Sequence, residues 1–385
     1  MLYDRDVRAM YSLPIDVRYC KRCVVSNQRP RIEFDENGVC NACNYAYKKT
    51  YVIDYTERQR QLRDLLGRYR SRDGSYDVVV ATSGGKDSAS VAYRLKHHYN
   101  MHPLTVTFAP HIYTDIGWRN LQNFIHSGFD NLLCTPNGAV HRKLTKAAFE
   151  SLGDPFQPFI YGQMSFPFRV AVQYRIPLVF YGENGEAEYG GSTKNEDKPG
   201  QPIEDFGKFY FSGVQAEAFA ELGISMSDLR PYLMPRLEQL LETGIQMHWF
   251  GYYHKWVPQE NYYCASEHTG FQANPDGRSE GTYSKYASLD DKIDGLHYYL
   301  AFIKFGIGRA TSDAAHEIRD GHITREEGVA LVRRFDGEFP KKYFGDFLDY
   351  IDINEDRFWE VVDSLRAPLL WERVNGEWKL KYQVS

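Results

Sequence analysis

The sequence predicts an α/β protein: a parallel β-sheet with helices on both faces, an N-terminal four-cysteine module and a C-terminal helical subdomain. Three observations support this fold class. Short apolar segments alternate with helical patterns between residues 77 and 181, as in parallel sheets. Two Cys-x-x-Cys pairs precede this region, and amphipathic helical patterns follow it to about residue 366.

The length and composition fit a chain of three parts. The chain has 385 residues, whereas one domain usually contains about 150. We expect the four-cysteine module at residues 1–55, the sheet domain at 56–260 and a mainly helical region at 261–385 that completes the active site. Hydrophobic residues make up 43% and charged residues 25% of the chain, as in globular proteins.

Charge and hydropathy argue against a nucleic-acid-binding, membrane-spanning or exported protein. The chain has 46 Lys and Arg against 51 Asp and Glu, a net charge of −5, and so lacks the basic excess typical of nucleic-acid-binding proteins. No run approaches the roughly 18 apolar residues of a membrane span. Asp4 and Asp6 near the start do not fit an export signal. We therefore expect a cytoplasmic protein with no membrane span and no nucleic-acid partner.

Four cysteines near the N-terminus have the spacing of a metal site. Cys20, Cys23, Cys40 and Cys43 form two Cys-x-x-Cys pairs that are separated by sixteen residues. Four thiolates complete the tetrahedral shell of zinc and leave no position for water, so we expect a structural Zn2+. Residues 31–39, between the pairs, predict a short hairpin. The alternative is two disulfides or four unrelated thiols.

A glycine-rich loop follows the first predicted strand. The segment 77–81 contains four consecutive apolar residues and predicts a strand buried on both faces, and residues 82–88 read Thr-Ser-Gly-Gly-Lys-Asp-Ser. The glycines allow a tight turn that points backbone N–H groups inward, and a helix from Ser88 to about Tyr99 adds its N-terminal dipole. We therefore expect a phosphate-binding loop, with a spacing unlike that of Walker or dinucleotide-binding loops.

The segment Ser83–Ser88 resembles the Ser-Gly-Gly-x-Asp-Ser loop of the PP-loop ATP pyrophosphatases. The resemblance implies that residues 56–260 have their adenine nucleotide alpha hydrolase-like fold. In that superfamily ATP is cleaved between its α and β phosphates, an acceptor oxygen is adenylated and pyrophosphate leaves from the loop. Lys86 and Asp87 are then expected to be catalytic. The residues of the loop expected to bind ATP are Ala81, Thr82, Ser83, Gly84, Gly85, Lys86, Asp87 and Ser88.

Two further positions are expected near the nucleotide because ligands of open parallel sheets bind beyond the carboxyl ends of the strands. Phe108 lies near the end of the strand predicted at 104–109, and Gly182 follows the strand predicted at 178–181. The sequence leaves open whether Phe108 contacts the nucleotide or belongs to the core.

An acidic loop follows the strand predicted at 178–181. It carries three carboxylates within six residues, and Mg2+ prefers hard oxygen ligands. The loop is similar to the Gly-Glu-Gly-x-Asp-Glu loop of asparagine-synthetase-type relatives, although Asn184 replaces one glycine and the acids are displaced. The similarity implies a catalytic, metal-pyrophosphate role for Glu183 or a cofactor-binding role for Glu186, with Asp87 also near the metal. A solvated acidic loop is the alternative.

The region after residue 226 is predicted to contain a helix at 227–243, an aromatic strand at 246–254, helices at 296–305 and near 340–366, and a capping box that begins at Thr324. In addition, Ser288 is expected to be the N-cap of a helix.

A lysine close to that expected N-cap has a role implied by resemblance. Relatives in the PP-loop superfamily use a lysine from beyond the sheet to neutralise the polyphosphate. Lys285 is the first choice for this catalytic role and Lys292 the second. A lysine that faces solvent is the alternative for each.

The four-cysteine module, the phosphate loop, the acidic loop and the tail at 292–311, KIDGLHYYLAFIKFGIGRAT, together resemble the N-acetyl sugar amidotransferase family. That family makes acetamidino sugars for bacterial surface glycans such as LPS O-antigen. The resemblance implies ATP and Mg2+ as cofactors and an N-acetylated nucleotide-sugar or nonulosonic acid precursor as substrate. The implied partners are a glutaminase and a channel-forming, synthase-like subunit that supply ammonia.

Two other functions stay open at this point. PP-loop tRNA-modifying enzymes of the thiolase type can also carry Cys-x-x-Cys zinc modules, and Cys134 and Cys264 would be their reactive cysteines; the acidic net charge weighs against them. A non-catalytic zinc-ribbon adaptor that only binds nucleotide is the other alternative, although the loop retains Lys86, Asp87 and Ser88.

Overall fold

The computed structural model describes residues 6–202, 205 and 213–385. Its centre is a parallel sheet of five strands in the order β3-β2-β1-β4-β5. These strands are β1 Val78–Ala81, β2 Pro103–Phe108, β3 Asn131–Cys134, β4 Leu178–Tyr181 and β5 Gln246–Trp249. A separate antiparallel hairpin consists of β6 Trp371–Val374 and β7 Glu377–Leu380.

Helices cover both faces of the sheet and form most of the C-terminal region. The helices are α1 Val7–Met10, α2 Asn41–Tyr51, α3 Tyr55–Tyr69, α4 Lys86–Tyr93, α5 Asp115–His126, α6 Gly138–Leu152, α7 Gln157–Tyr174, α8 Gly185–Tyr189, α9 Met226–Leu229, α10 Leu237–Thr243, α11 Phe250–Tyr253, α12 Pro258–His268, α13 Asp294–Phe305, α14 Arg309–Asp320, α15 Arg325–Phe335, α16 Phe344–Ile351 and α17 Glu355–Ser364. None of the helices in the described ranges is long and apolar enough to cross a lipid bilayer.

The predicted parallel sheet is confirmed, and its central strand is buried on both faces. Val79 packs into the core beneath α7, whereas Val78 and Val80 belong to the opposite core, formed with α4 and α12. All three valines are fully buried. This burial explains why β1 lacks the alternation of polar and apolar residues that a one-sided strand would have.

Three predicted elements differ in the structure. The aromatic strand predicted at 246–254 ends at Trp249 and continues as α11, where Gly251 N–H donates to the Gly182 carbonyl at 2.9 Å. The helix predicted at 227–243 is divided into α9, a 3-10 turn and α10, because Pro231 and Pro235 interrupt the helical hydrogen bonds.

The helix expected to follow an N-cap at Ser288 is absent, and the next helix, α13, corresponds to the helix predicted at 296–305. Ser288 has a left-handed backbone (φ 56°), and the segment that follows it is bound to the loop after β2. Asp291 accepts a hydrogen bond from the backbone N–H of His111 at 2.8 Å, and the Thr114 hydroxyl donates to the Leu289 carbonyl. The carboxylates at 290 and 291 are therefore fixed in a loop instead of a helix. The predicted capping box at Thr324 is present.

The four-cysteine module packs on the C-terminal helices. Its cysteines share one buried cluster with Ala314 and Ala315 of α14 and Val332 of α15. Between the two cysteine pairs, an antiparallel bridge joins Phe34 and Cys40, which agrees with the predicted short hairpin. The four-cysteine module and Val384, near the end of the chain, therefore belong to one packed cluster.

Candidate active site

The phosphate loop turns at the carboxyl end of β1 and leads directly into α4. Gly84 has a left-handed backbone (φ 80°), and a Cβ at this position would lie 2.6 Å from Leu121 Cα of α5. Only glycine fits such a conformation and such a close approach. Inside the turn, the Thr82 hydroxyl accepts the Gly84 N–H at 3.1 Å and lies 2.9 Å from the Ser88 hydroxyl. The loop is thus shaped before any ligand binds.

Charged side chains lie at the start of α4. The Lys86 ammonium, which is almost buried, pairs with the neighbouring Asp87 carboxylate. Asn261 of α12 donates to the other Asp87 oxygen at 3.0 Å. Lys86 also lies 5.3 Å from the centre of the Tyr286 ring. The structure therefore places both residues that the resemblance names as catalytic at the N-terminus of a helix, where anions are favoured.

Glu183 stands at the carboxyl end of β4 and lines the same cavity as Asp87. Burial raises the pKa of Glu183 to about 7, and the nearby charge of Asp87 adds to this effect. The Tyr189 hydroxyl lies 3.5 Å from one Glu183 oxygen. Two carboxylates beside a phosphate loop are a donor set that suits Mg2+ bound to phosphate oxygens.

Glu186, the other predicted ligand in the acidic loop, is engaged elsewhere. The Arg31 guanidinium binds its carboxylate through two hydrogen bonds, and the Ser192 N–H donates to the same carboxylate at 2.7 Å. Although Glu186 lines the cavity, these contacts occupy its oxygens. Of the two acids, Glu183 is therefore the one that faces the loop with its carboxylate available.

Phe108 and Lys285 do not meet the phosphate loop. Phe108 is 4% exposed and packs against His141, Phe159 and Tyr232 in the core beneath α7. Of the two predicted alternatives, Phe108 is therefore a core residue, because α7 covers the end of β2. Lys285 is exposed, with its ammonium 5.9 Å from the Tyr262 ring, and lines none of the cavities beside the loop. The helix expected to begin shortly after Lys285, at Ser288, is absent.

A cavity of about 580 Å³ lies above the carboxyl ends of the strands, and we call it the first cavity. The strand ends contribute Ala81, Thr82 and Gly182, and α7 contributes Gln157 and Gln163. A second cavity of about 490 Å³ continues from it towards α13 and the four-cysteine module. The two cavities share Arg29, Arg31, Asp87, Asp154, Glu183, Tyr189, His297 and Tyr298.

A third, smaller pocket of about 140 Å³ surrounds the phosphate loop itself. Arg309, at the start of α14, lines this pocket together with Ser83 and Asp290. Burial disfavours the charged guanidinium, but Asp313, whose carboxylate it contacts at 3.0 Å, raises the pKa of Arg309 well above its usual value. Arg309 is thus a cation from beyond the sheet that lines the pocket around the loop, whereas Lys285, where such a cation was expected, does not line it. Burial also raises the pKa of Asp290 to about 7, with Asp294 adding to the effect.

A histidine–aspartate pair lies where the two larger cavities join. His297 of α13 contacts Asp154 at 2.9 Å through Nδ1. Burial opposes the ionisation of Asp154, but the charge and hydrogen bond of His297 outweigh it and lower the pKa of Asp154 to about 2. In turn, Asp154 raises the pKa of His297 against the effect of burial. This pair could not be predicted from the sequence, because its members are 143 residues apart and neither belongs to a motif.

The four cysteines form the compact group that their spacing predicts. Their sulfur atoms all lie within 4.8 Å of one another, all four side chains are buried, and all four are free thiols. Backbone N–H groups of Arg22, Cys23 and Cys40 point at the Cys20 sulfur at 3.3 to 3.4 Å. Such N–H groups stabilise thiolates, so the site can hold one tetrahedral zinc ion.

A buried polar network connects this module to the acidic loop and to α14. The Lys49 ammonium contacts the Glu188 carboxylate at 2.7 Å, and both side chains are almost fully buried. Arg319 of α14 donates to the Glu188 carbonyl at 2.9 Å and lies 3.9 Å from the Cys23 sulfur. Helix α8, which follows Glu183, is thereby held from two sides.

Comparison with known proteins gives three findings. Residues 280–384 match the family model described as LPS biosynthesis protein WbpG-like, C-terminal domain. An uncharacterized protein of Methanocaldococcus jannaschii is 27% identical over 88 residues, which are 23% of this chain and 31% of that protein. The chain thus spans about a third of that relative.

Among solved structures, NMN synthetase from Francisella tularensis is similar with 14% identity and a TM-score of 0.28, over 58% of this chain and 99% of that chain. The family match covers Asp290, His297 and Arg309, and it supports the resemblance to the N-acetyl sugar amidotransferases. Residues 280–384 are therefore similar to the C-terminal domain of WbpG-like LPS biosynthesis proteins.

Proposed function

We propose that this protein is a PP-loop enzyme of LPS or related surface-glycan biosynthesis that converts an acetamido group of an N-acetylated sugar into an acetamidino group. The acceptor would be a nucleotide-sugar or a nonulosonic acid precursor, and ATP would activate it. One observation carries the proposal. The Ser83–Ser88 loop opens, at the carboxyl end of the central strand, into a cavity that the WbpG-like domain completes with His297.

The reaction needs ATP because an amide carbon is a poor electrophile. In the proposed first step the acetamido oxygen attacks the α phosphorus of ATP, the bond between the α and β phosphates breaks, and pyrophosphate leaves. In the second step ammonia attacks the activated carbon, and AMP departs with the former amide oxygen. A proton of the ammonia is released, and the product is an amidine.

The residues of the chain have distinct roles in this scheme. Backbone N–H groups of the loop and the side chains of Lys86 and Arg309 would bind the departing pyrophosphate, because positive groups fixed in advance stabilise charge that develops there. Asp87 and Glu183 would hold Mg2+, which screens the phosphate charges when bound. The first cavity would hold the nucleoside and exclude water, which favours ammonia as the attacking group.

Ammonia would come from a separate glutaminase and its channel-forming partner. The four-cysteine module would hold a structural zinc and keep α2 and α8 in place, because Lys49 of α2 contacts Glu188 of α8. We propose no chemistry at this metal, since four thiolates leave it no open position.

The deciding experiment measures pyrophosphate release from ATP and Mg2+ by the purified chain with ammonium. Release is compared among N-acetylated nucleotide-sugars, nonulosonic precursors and bulk tRNA. We expect release with a sugar, and a product lighter than the acceptor by the difference between one oxygen atom and one NH group. Release with tRNA alone would instead assign the chain to the tRNA-modifying enzymes.

A further inference from the structure

The second cavity contains two cations that no carboxylate of the described residues pairs with. The first is Lys304 of α13, which is 3% exposed. Its ammonium lies 3.5 Å from the Leu152 carbonyl and 5.4 Å from the Phe305 ring centre. Burying an ammonium without an ion-pair partner is costly, and lysine is seldom fully buried unless it is paired.

The second cation is Arg29 of the four-cysteine module. Its Nε donates to the Gly190 carbonyl at 2.5 Å, and its guanidinium lies 6.0 Å from the Tyr189 ring centre. Burial lowers the pKa of Arg29 more than the nearby Glu186 raises it. Glu186 therefore compensates the charge of Arg29 only in part. The charge of Lys304 helps to lower the pKa of Asp154, although the two side chains form no ion pair, and both Arg29 and Lys304 line the second cavity.

Apart from Glu183, the other charges of this cavity balance in pairs, and Asp87 is paired with Lys86. Arg31 binds Glu186, Arg309 binds Asp313, and His297 binds Asp154. Across the described part of the chain, no ion pair involves Arg29, Lys304 or Glu183. Two cations thus stand against one carboxylate, whose pKa burial raises to about 7, so the excess charge of the cavity wall is positive. Arg29 and Lys304 do not line the pocket around the phosphate loop, so this excess positive charge lies away from that pocket. In the proposed function, Lys86 and Arg309 bind the phosphates of ATP instead.

We infer that the second cavity is the acceptor site and that Arg29 and Lys304 bind an anionic group of the acceptor, a carboxylate or a phosphate. This inference rests on the proposed function and adds to it the place and the charge of the acceptor. The cavity meets the nucleotide at Asp87 and Glu183, so an acceptor held there presents its uncharged amide to the α phosphate. The two cations determine specificity and take no part in the chemistry.

The test uses isothermal titration of the full chain, saturated with Mg2+ and α,β-methylene-ATP so that the phosphate loop is occupied. The probes are N-acetylglucosamine, its 1-phosphate and N-acetylneuraminic acid. We expect at least one anionic probe to bind about tenfold or more tightly than the neutral sugar, because charge-assisted hydrogen bonds are the stronger ones. Equal affinity of all three probes would overturn the inference.

Variants then identify the residues responsible. Lys304→Met keeps the apolar stem and should remove the preference for the anionic probe, and Lys304→Arg should retain part of it. Arg29→Gln tests the other cation and guards against misfolding of the Lys304 variant, which is checked by thermal unfolding. Lys379→Met, on an exposed position of β7, should retain the wild-type preference.

The outcomes separate this inference from the proposed function. If the anionic probe binds through Lys304 but no acceptor elicits pyrophosphate release, the reaction fails and the anion site stands. If neutral sugars are adenylated as well as anionic ones, the reaction stands and the anion site fails. Weaker binding of the ATP analogue by Lys304→Met, in proportion to the loss of probe binding, would assign the cation to ATP and also refute the inference.

Discussion

The Arg31 guanidinium donates two hydrogen bonds to the Glu186 carboxylate, 3.0 Å from Nε and 2.6 Å from Nη2, and thereby joins the four-cysteine module to the acidic loop. Because this contact occupies Glu186, the neighbouring Glu183 is the acid left to face the phosphate loop. The two glutamates are three residues apart, and the structure gives them different partners.

This difference predicts different phenotypes. Glu183→Gln should lower pyrophosphate release by about a hundredfold or more, the usual effect of removing one preorganised charged contact at a reacting centre. Glu186→Gln should keep most of the activity and lower the Tm by a few degrees, because it breaks a partly exposed ion pair worth roughly 1 kcal/mol. Steady-state kinetics and thermal unfolding of both variants provide the check. Equal losses of activity would contradict it.

The tight turn of the phosphate loop predicts that Gly84→Ala abolishes ATP use. The added Cβ would lie 2.6 Å from Leu121 Cα, and the left-handed φ of 80° would strain any other residue. We expect loss of pyrophosphate release and a lower Tm. The control is Gly67→Ala in α3, where a Cβ meets no atom within 4 Å; this variant should be as active as wild type and slightly more stable.

We predict that Arg309 is the cation that stabilises the departing pyrophosphate. Arg309→Met should lower pyrophosphate release by about a hundredfold, because the side chain lines the pocket around the loop. Lys285→Met should change it little, because Lys285 is exposed and lines none of these cavities. A large loss of activity in the Lys285 variant, with a wild-type Tm, would show that this lysine reaches the site during turnover.

The four-cysteine module is predicted to hold one metal ion that the fold requires. Metal analysis of the purified chain should find about one zinc per chain, as four converging thiolates bind one ion. Cys43→Ser, or removal of the metal by a chelator, should lower the Tm markedly, since metal binding contributes directly to folding. Cys264 lies outside the cluster, so Cys264→Ser should leave both the zinc content and the Tm near their wild-type values. Far less than one zinc per wild-type chain would refute the assignment.

The raised pKa of Glu183 predicts a dependence of stability on pH. Folding raises this pKa from 4.5 to about 7, so the folded protein keeps a proton that the unfolded chain releases between these values. The contribution of Glu183 to stability therefore falls as the pH rises through this window and is constant above it. Relative to wild type, Glu183→Gln should gain stability between pH 5 and 8, because glutamine never ionises. Denaturant unfolding at several pH values tests this, and a constant difference would contradict it.

Features that depend on neighbouring residues were predictable from the sequence. The cysteine pairs needed only their spacing, and the loop at 82–88 needed only the strand before it and the helix after it. The core of the sheet was also predictable, since consecutive valines in β1 indicate burial on both faces. The end of β5 was not, because the tertiary contact between Gly251 and Gly182 determines where the strand stops.

The charged residues that line the site but come from distant parts of the sequence could not be predicted in the same way. Arg29, Asp154 and Arg309 come from segments more than a hundred residues apart, and each taken alone is an ordinary charged residue. By resemblance the sequence pointed to Lys285, which precedes an expected helix, and nothing in it singled out Arg309. The structure has no helix between Lys285 and Asp294, since hydrogen bonds to the loop after β2 fix these residues. Such contacts between remote loops leave no periodic signal in a sequence.

The packing of the four-cysteine module on the C-terminal helices has a consequence for biosynthesis. A nascent chain that has left the ribosome as far as β5 already contains the complete Ser83–Ser88 loop and Glu183, but it lacks His297 and Arg309. The N-terminal module must also wait for α14 and α15 before its cysteine cluster is covered. Translation therefore delivers the Ser83–Ser88 loop long before the charged residues that line the cavities around it, so a prematurely terminated chain cannot complete the proposed site.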